Sequence, residues 1–300
     1  MGAVNPLDTS HLGIAIILGF VQGLTEFLPV SSSAHLRIAG LFLPGAEDPG
    51  ATFTAITQIG TELAVLIYFA RDIGGILKSW WLSVFSRGRR QGKYLTPEQR
   101  TQAKIGWYII FATIPIGALG YLFQDTIRET FRSLWIISTV LIVFGILLWV
   151  ADRSARSDRY LSEMNAPHGI TIGLAQVLAL IPGVSRSGAT ITMARALGYR
   201  RDASARFAFL LAIPAVLISG LFELYSALKD EVSGTSTIPA IPFSWVEIGT
   251  ATAVAFVVGL GVIAFLMRYL QSRSFLPFVI YRVLLGGTLL TLLATGVIAG

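Results

Sequence analysis

QGLTEFLPVSSSAH at residues 22–35 and QVLALIPGVSRSGAT at residues 176–190 are the two stretches that decide the interpretation of this chain. Each places hydroxyl and ionisable side chains just after a proline, inside a segment otherwise apolar enough for a membrane. Charged groups at membrane depth are costly and usually functional. Both stretches contain glutamine, apolar residues, proline and then Val-Ser-x-Ser, which indicates a duplicated half rather than two unrelated loops.

The composition of the chain is that of a polytopic membrane protein. Hydrophobic residues make up 54% of the sequence and charged residues only 13%, and several segments approach the roughly 20 residues that span a bilayer. The 300 residues leave no room for a separate soluble domain, so we expect one domain over residues 1–300. The absence of cysteine excludes disulfides, thiolate catalysis and cysteine metal sites.

The positive charge of the chain lies mainly in loops. The net charge is +6, and Lys and Arg cluster between apolar segments, notably from Arg71 to Lys104. This distribution is typical of cytoplasmic loops, and no aromatic and basic module accompanies it, so we expect no nucleic-acid partner. Met1 to Ser10 lack the basic region of a cleaved signal peptide, so no processing is expected.

The apolar segments predict an all-α fold with six transmembrane helices and two re-entrant pairs of broken helices. Proline and polar groups interrupt residues 11–38 and 168–198, and irregular backbone survives at membrane depth only inside protein or beside a wet cavity. The alternative is two ordinary proline-kinked spans. The six full spans are expected near 52–70, 107–123, 133–151, 205–227, 246–268 and 275–299.

Loop charges predict the orientation of these spans. The loops at 71–106, 152–167, 199–206 and 268–274 carry the basic residues, while 39–51 has none and 228–245 has only Lys229. Placing basic loops in the cytoplasm makes the first broken segment enter from outside and the second from inside. The two halves, about 11–151 and 168–299, then form an inverted repeat. Such architectures place their binding site near the midplane, between discontinuous helices.

The residues after each proline predict an anion site. Free backbone N–H groups and hydroxyls at a helix N-terminus bind phosphate, and glycine allows close backbone approach. The alternative is helix packing by small residues. The candidate phosphate-binding residues are Ser31, Ser32 and Ser33 in the first stretch and Gly183, Ser185, Ser187 and Thr190 in the second.

Arg186 strengthens the prediction of phosphate binding. A guanidinium inside a membrane requires an anionic partner, and its planar fork matches phosphate oxygens. The alternative is a structural ion pair with Glu26 or Glu62. Glu62, Glu223 and Arg282 are further ionisable residues within the spans, and we expect them to support the site, although the sequence assigns them no individual roles.

Two more side-chain pairs in the first stretch suggest chemistry. Gln22 and Glu26 share a helical face, and their oxygens suit a hard divalent cation, Mg²⁺ or Ca²⁺; a coupling-ion or proton-relay site would look similar. His35 follows Ser32 by one helical turn, so the imidazole is a candidate base for a nucleophilic hydroxyl. The alternative is a histidine that merely satisfies its own hydrogen bonds.

The motifs resemble the signatures of the bacterial undecaprenyl pyrophosphate phosphatase family, also called the bacitracin resistance proteins. The resemblance covers nearly the whole chain and rests on three runs: Gln22-x-x-x-Glu26, Leu28-Pro29-Val30-Ser31-Ser32-Ser33-Ala34-His35 and Pro182-Gly183-x-Ser185-Arg186-Ser187-x-x-Thr190. The family often has glutamate at the position of Gln22, which puts metal ligation by this residue in doubt. It often has Ser-Ser-Thr-Gly-His where this chain has Ser-Ser-Ser-Ala-His.

The resemblance implies an enzyme of the bacterial plasma membrane that hydrolyses undecaprenyl pyrophosphate, recycles the lipid carrier for peptidoglycan and confers bacitracin resistance. It implies divalent-cation dependence and a site open to the extracytoplasmic side. Glu26 would be the acidic signature residue, Ser32 and His35 the nucleophile and acid/base candidates, and Arg186 the phosphate clamp. The hydroxyls of Ser31, Ser33, Ser185, Ser187 and Thr190 fall on phosphate-contacting positions of the same motifs.

Two other classes of membrane protein share part of this pattern. Lipid phosphatases of the phosphatidic acid type require a histidine after the Ser-Arg pair, and this chain has none after His168. A transporter or lipid flippase shares the inverted repeat and a midplane polar site. The nucleophile, whether Ser32, His35 or water, is open, and a homodimer is one expected assembly.

Overall fold

The computed structural model describes residues 9–43, 49–85, 95–128, 130–233 and 242–299. Within these ranges the chain is helical and contains no strand. Met1 to Asp8, most of the segment on which the expectation of no processing rests, lie outside the described residues, as do parts of the loops whose charges predict the orientation. The α-helices are α1 (Thr9–Thr25), α2 (Ser32–Gly40), α3 (Gly50–Tyr68), α4 (Ala70–Phe85), α5 (Pro97–Leu122), α6 (Gln124–Arg128), α7 (Leu134–Ser154), α8 (Ala166–Val177), α9 (Arg186–Ala196), α10 (Arg201–Ser233), α11 (Trp245–Tyr269) and α12 (Leu276–Ala294).

Six of the helices in the described part of the chain are long and apolar enough to cross a membrane. They are α3, α5, α7, α10, α11 and α12, and each coincides with one of the six expected spans. The sequence-based prediction of an all-α polytopic membrane protein is therefore confirmed. The main difference is at α5, which begins ten residues before the expected start at 107, because Thr96 and Gln99 form a capping box and Pro97 occupies the first turn.

The amphipathic helix α4 was not predicted, because its charges placed it in the expected 71–106 loop. It follows α3 almost directly and packs one face on α5, where Ser79 Oγ donates to Gln102 Oε1 at 2.8 Å. Leu77 and Trp81 on the other face are exposed. A helix with one packed and one exposed apolar face is typical of the membrane interface.

Each of the two polar stretches breaks a helical segment into two. The chain leaves α1 at Thr25 and starts α2 at Ser32, and it leaves α8 at Val177 and starts α9 at Arg186, with one 3₁₀ turn at Leu178–Leu180. Pro29 and Pro182 lie in these turns. Both segments are thus pairs of short helices rather than single kinked spans. Their re-entrant course and the inverted repeat stay predictions.

Glycines bring the helix before each turn very close to a long helix. A Cβ on Gly19 of α1 would lie 2.4 Å from the carbonyl oxygen of Ala251 in α11. A Cβ on Gly173 of α8 would lie 2.5 Å from the carbonyl oxygen of Ala112 in α5. Real side chains cannot approach backbone so closely, so both contacts require glycine. These contacts hold the two broken segments against different long helices.

A buried ion cluster joins several helices at one end of the bundle. Asp152, near the end of α7, accepts from Arg195 Nε of α9 at 2.8 Å and from Arg201 Nε of α10 at 2.9 Å. The backbone N–H of Phe275, next to α12, also donates to Asp152, at 3.4 Å. Arg195 has no exposed surface, so its charge depends on this carboxylate.

Candidate active site

The two turns end in the same unusual serine cap. Ser31 has φ 75° and ψ 97°, and Ser185 has φ 71° and ψ 120°. Each caps the following helix with its side chain, which accepts from the backbone N–H three residues later. Positive φ is strained for residues other than glycine, and such strain persists where the surroundings hold it, often at functional sites.

The hydroxyl of each capping serine also lies within hydrogen-bond distance of the hydroxyl of the serine two residues later. The hydroxyls of Ser31 and Ser33 lie 3.2 Å apart, and those of Ser185 and Ser187 lie 3.1 Å apart. Each helix N-terminus is therefore surrounded by hydroxyls and by backbone N–H groups that have no partner within the helix. Such an end favours an anion.

The Glu26 carboxylate joins the two stretches. One of its oxygens forms an ion pair with Arg186 Nη2, from the other half of the chain. The other oxygen accepts from Ser32 Oγ at 2.5 Å and from Gln22 Nε2 at 2.8 Å. Both side chains of the ion pair are mostly buried, at 8% exposure for Glu26 and 17% for Arg186. The structure thus brings three of the predicted site residues, Gln22, Ser32 and Arg186, together around the carboxylate of a fourth, Glu26.

These groups form the polar end of a cavity of about 390 Å³. Residues of α5 and α10 form an apolar wall, which includes Ile116, Gly117 and Gly120 of α5 and Ile218 of α10. The cavity is therefore amphipathic: its polar end carries charges and hydroxyls, and most of the remaining lining is apolar, apart from Gln58, Thr113, Gln124, Ser219 and Glu223. The polar residues at its end are Glu26, Ser31, Ser32, Ser33, Ser185 and Arg186.

His35 is not among the residues that line this cavity, and both of its ring nitrogens bind groups other than Ser32. Its Nδ1 lies 2.7 Å from the Ser31 carbonyl oxygen, so Nδ1 carries the proton and donates. Its Nε2 lies 2.6 Å from the Tyr281 hydroxyl and accepts from it, and the two rings stack with centroids 5.5 Å apart. The sequence paired Ser32 with His35, whereas the structure places Ser32 on Glu26.

The other predicted phosphate-binding residues divide into two groups. Ser31, Ser33 and Ser185 line the cavity, whereas Gly183, Ser187 and Thr190 do not. Thr190 Oγ1 donates to the Arg186 carbonyl oxygen at 2.8 Å. Gly183 has φ 98°, and a Cβ there would lie 2.9 Å from the Ile137 carbonyl oxygen, so Gly183 shapes the turn.

Two residues of the site, Tyr281 and Gln58, were not identified from the sequence. Tyr281 binds His35, and Gln58 lines the cavity together with Glu223, which the sequence had marked as an ionisable residue within a span. Gln58 had a usable signal, because it lies one helical turn from Glu62 on an apolar helix. Glu62 is 3% exposed, its Oε1 has no partner among the described residues, and it lies within electrostatic range of Arg186 and Glu26.

Gln22 and Glu26, the residues predicted to bind a divalent cation, offer oxygen donors of the kind that such an ion prefers. Carboxylate and amide oxygens are hard ligands, and Gln22 Oε1 is buried without a hydrogen-bond partner in the described part of the chain. Among the residues that the structure describes, no group of three or more His, Cys, Asp or Glu side chains is placed to hold a metal. Water and a bound anion would have to supply most of the coordination shell.

The fold and the cavity together define the class of this protein: a multi-pass membrane protein with a charged and hydroxyl-rich site between two broken helices. Residues 15–288 match the family model described as "Bacitracin resistance protein BacA". Since this match covers nearly the whole chain, the protein belongs to the BacA family.

Three similar proteins carry the name undecaprenyl-diphosphatase. One from Clavibacter michiganensis is 58% identical over 285 residues, covering 95% of this chain and 98% of the relative. One from Micrococcus luteus is 56% identical with the same coverage of both chains. One from Pseudarthrobacter chlorophenolicus is 51% identical and covers 94% of this chain and 97% of its own.

Proposed function

We propose that this protein hydrolyses undecaprenyl pyrophosphate to undecaprenyl phosphate and inorganic phosphate. This activity would recycle the lipid carrier for peptidoglycan synthesis and confer resistance to bacitracin. The names of the similar proteins support the reaction. The observation that carries the proposal is the contact of Ser32 and Arg186 with one carboxylate, Glu26, at the polar end of an apolar cavity.

The head group would bind by exchange with the Glu26–Arg186 pair. Arg186 binds Glu26 through one nitrogen, and a pyrophosphate offers a bidentate partner with more negative charge. The capped N-termini of α2 and α9 add hydroxyl and N–H donors around the phosphoryl group. Charge stabilisation of this kind is the main requirement of phosphoryl transfer.

Release of Glu26 from Arg186 prepares the nucleophile. Ser32 Oγ already donates to Glu26 at 2.5 Å, so the freed carboxylate would accept the serine proton as Oγ attacks the terminal phosphorus. The bond from that phosphorus to the bridging oxygen breaks, and undecaprenyl phosphate leaves. Water then attacks phosphoserine and releases inorganic phosphate, regenerating the Ser32 hydroxyl.

His35 is the second acid/base candidate. To reach Ser32 its side chain would have to leave both the Ser31 carbonyl and the Tyr281 hydroxyl. Attack by His35 itself predicts a phosphohistidine, and attack by Ser32 predicts a phosphoserine. Acid and base stability of a trapped phosphoenzyme distinguishes the two, and absence of any phosphoenzyme indicates direct attack by water.

A divalent cation, Mg²⁺ or Ca²⁺, is part of the proposal. Glu26 and Gln22 would hold it, and when bound it would neutralise charge on the phosphate oxygens. Dialysis against a chelator should abolish phosphate release, and added Mg²⁺ or Ca²⁺ should restore it. Full activity of the metal-free protein would remove the cation from the mechanism.

The isoprenoid chain would lie along the apolar wall between α5 and α10. This wall is continuous with the polar end, and no Cβ would meet a neighbour at Gly117. A Gly117→Leu variant should raise the KM for undecaprenyl pyrophosphate several-fold and leave the hydrolysis of a short-chain pyrophosphate unchanged. Gly74, which is also unobstructed but lies on α4, provides the control in Gly74→Leu.

We place the cavity on the extracytoplasmic side of the plasma membrane. Arg201 begins α10, and the cavity residues of that helix lie between Ala215 and Glu223. If the basic start of α10 is cytoplasmic, the cavity lies toward the opposite face of the membrane. The chain has no cysteine, so a single cysteine introduced by substitution reports whether its position is accessible to a thiol reagent. In intact cells an impermeant maleimide should label Gln124→Cys at the cavity and not Glu98→Cys at the start of α5.

Phosphate release by the purified protein in detergent tests the function itself. Hydrolysis without a sealed membrane requires an enzyme, whereas a flippase without hydrolysis releases nothing. Glu26→Ala and Arg186→Ala should each abolish most of the release, and failure of the wild type to release phosphate would refute the proposal. Light scattering of the same sample tests the proposed homodimer.

A further inference from the structure

Arg282 of α12 is a buried cation that lies between the two broken segments. Its side chain has no exposed surface. Nη1 donates to the carbonyl oxygens of Pro29 and Val184, at 3.0 and 3.1 Å, and Nη2 donates to that of Gly183 at 2.9 Å. One guanidinium therefore binds the turn of each broken segment.

The same guanidinium is anchored to a third element. Arg282 Nε donates to the Leu141 carbonyl oxygen of α7 at 3.1 Å. All four acceptors are neutral carbonyl groups, and no carboxylate forms a salt bridge with Arg282 in the described part of the chain. The charge is thus held by dipoles alone, although buried charges normally have a charged partner.

The bound carbonyls come just before the two strained caps. Pro29 precedes Ser31 by two residues, and Val184 directly precedes Ser185. Both caps have positive φ, a conformation that persists only when the surroundings impose it. Contacts from Arg282 to both turns supply this constraint and fix the position of one cap relative to the other.

The backbone of the second stretch leaves room for this side chain. A Cβ on Gly188 would lie 3.0 Å from Arg282 Nη1, so the glycine permits the guanidinium to sit beside the first turn of α9. The positive charge therefore lies behind the helix N-termini that carry the hydroxyls of the site. In a medium of low dielectric constant a fixed charge at this place favours an anion in front of it.

We propose that Arg282 is a positioning residue of the phosphate site, which holds the two serine caps in register and contributes its unneutralised charge to anion affinity. The proposal rests on the function proposed above. It makes two separate predictions, because the contacts to both turns require the guanidinium fork, whereas the charge requires only a cation.

Arg282→Lys and Arg282→Gln separate the two contributions. The measurements are kcat and KM for undecaprenyl pyrophosphate and the competitive inhibition constant of inorganic phosphate, all in detergent. Arg282→Gln should lower kcat about 100-fold and raise the inhibition constant about tenfold, because the fork and the charge are both lost. Arg282→Lys should lower kcat about tenfold but change the inhibition constant less than about threefold, because lysine remains a point charge.

Arg195→Gln is the matched control. Arg195 is equally buried, but it pairs with Asp152 at the other end of α9. It should lower thermal stability and leave the inhibition constant unchanged. An inhibition constant in folded Arg282→Gln equal to that of the wild type, or an equal rise in Arg195→Gln, would overturn the proposal. If Arg282→Gln does not fold, unchanged kcat in Arg282→Lys overturns it.

Failure of the proposed function is a different result. In that case the wild type releases no phosphate, and binding of inorganic phosphate to the wild type and the Arg282 variants is measured by titration calorimetry. Weaker binding to Arg282→Gln than to the wild type and Arg195→Gln supports the role of Arg282, and equal binding to all three refutes it.

Discussion

The two broken segments have nearly the same backbone and different chemistry. In each, a serine with positive φ caps the second helix and pairs with the serine two residues later. A fully buried glutamine, Gln22 or Gln176, lies nine residues before each capping serine. The segments differ in the residues placed on this common frame.

The position after each cap shows the clearest difference. It is Ser32 in the first segment and Arg186 in the second, and both side chains meet Glu26. The first segment therefore contributes the carboxylate and a hydroxyl, and the second contributes the cation. A single frame used twice places a nucleophile candidate opposite a phosphate clamp.

The largest expected effect is the loss of Ser32. If Ser32 is the nucleophile, Ser32→Ala should lower kcat at least about 1,000-fold in phosphate release. The matched variant in the second segment is Ser187→Ala, which removes the hydroxyl at the second position after the cap and should retain at least about a tenth of the activity. Equal losses in both variants would mean that the two segments share the chemistry.

Arg186→Lys should have the next largest effect. Lysine keeps the charge but lacks the planar fork that matches two phosphate oxygens, so we expect kcat/KM to fall about 100-fold. The control is Arg200→Lys, which alters a half-exposed arginine next to Asp202 and should leave kcat/KM unchanged. Wild-type kinetics in Arg186→Lys would show that charge alone is required.

The two caps should contribute similar stability. Ser31→Ala and Ser185→Ala each remove a side-chain cap, which costs about 1 kcal/mol, and each places alanine at a positive φ. We expect similar decreases in Tm for the two variants, measured in one detergent. A loss confined to one segment would show that only one of the caps is under strain.

The smallest expected effect concerns the buried glutamines. Gln22 Nε2 binds Glu26, whereas neither polar atom of Gln176 has a partner among the described residues, because Leu180 stands four residues on where the first segment has Glu26. Gln176→Leu should therefore raise stability by about 1 kcal/mol and leave activity unchanged. Gln22→Leu should lower both, and a destabilised Gln176→Leu would reveal a partner for this amide.

Much of the fold could be predicted because a bilayer restricts the choices. Each of the six expected spans is a helix, and the broken segments are marked by Pro29 and Pro182. Helix α4 was missed because an amphipathic interfacial helix has the charge of a loop. The start of α5 was displaced because the capping box at Thr96 lies outside the apolar run.

In the site, the sequence could predict only contacts between residues about one helical turn apart. Gln22 and Glu26 lie one turn apart on α1 and do make contact. The same rule paired Ser32 with His35, but the imidazole turns to Ser31 and Tyr281. Tyr281 and Arg282 come from a helix nearly 250 residues away, and no local pattern reports such a contact.

The ion cluster at Asp152 determines how easily the helices could separate at the end of the bundle that lies away from the cavity. A carrier must expose its site to each face in turn, so the helices joined there would have to separate. Arg201, which begins α10 and binds Asp152, lies about 21 Å along the helix from the cavity residue Ala215. Removing one partner of a buried pair such as Arg195 and Asp152 costs about 3–5 kcal/mol, because the other charge is left buried and unpaired, and separation of these helices would break the same contact. This ion cluster therefore favours a protein whose site is accessible from one face of the membrane only, as suffices for a hydrolase.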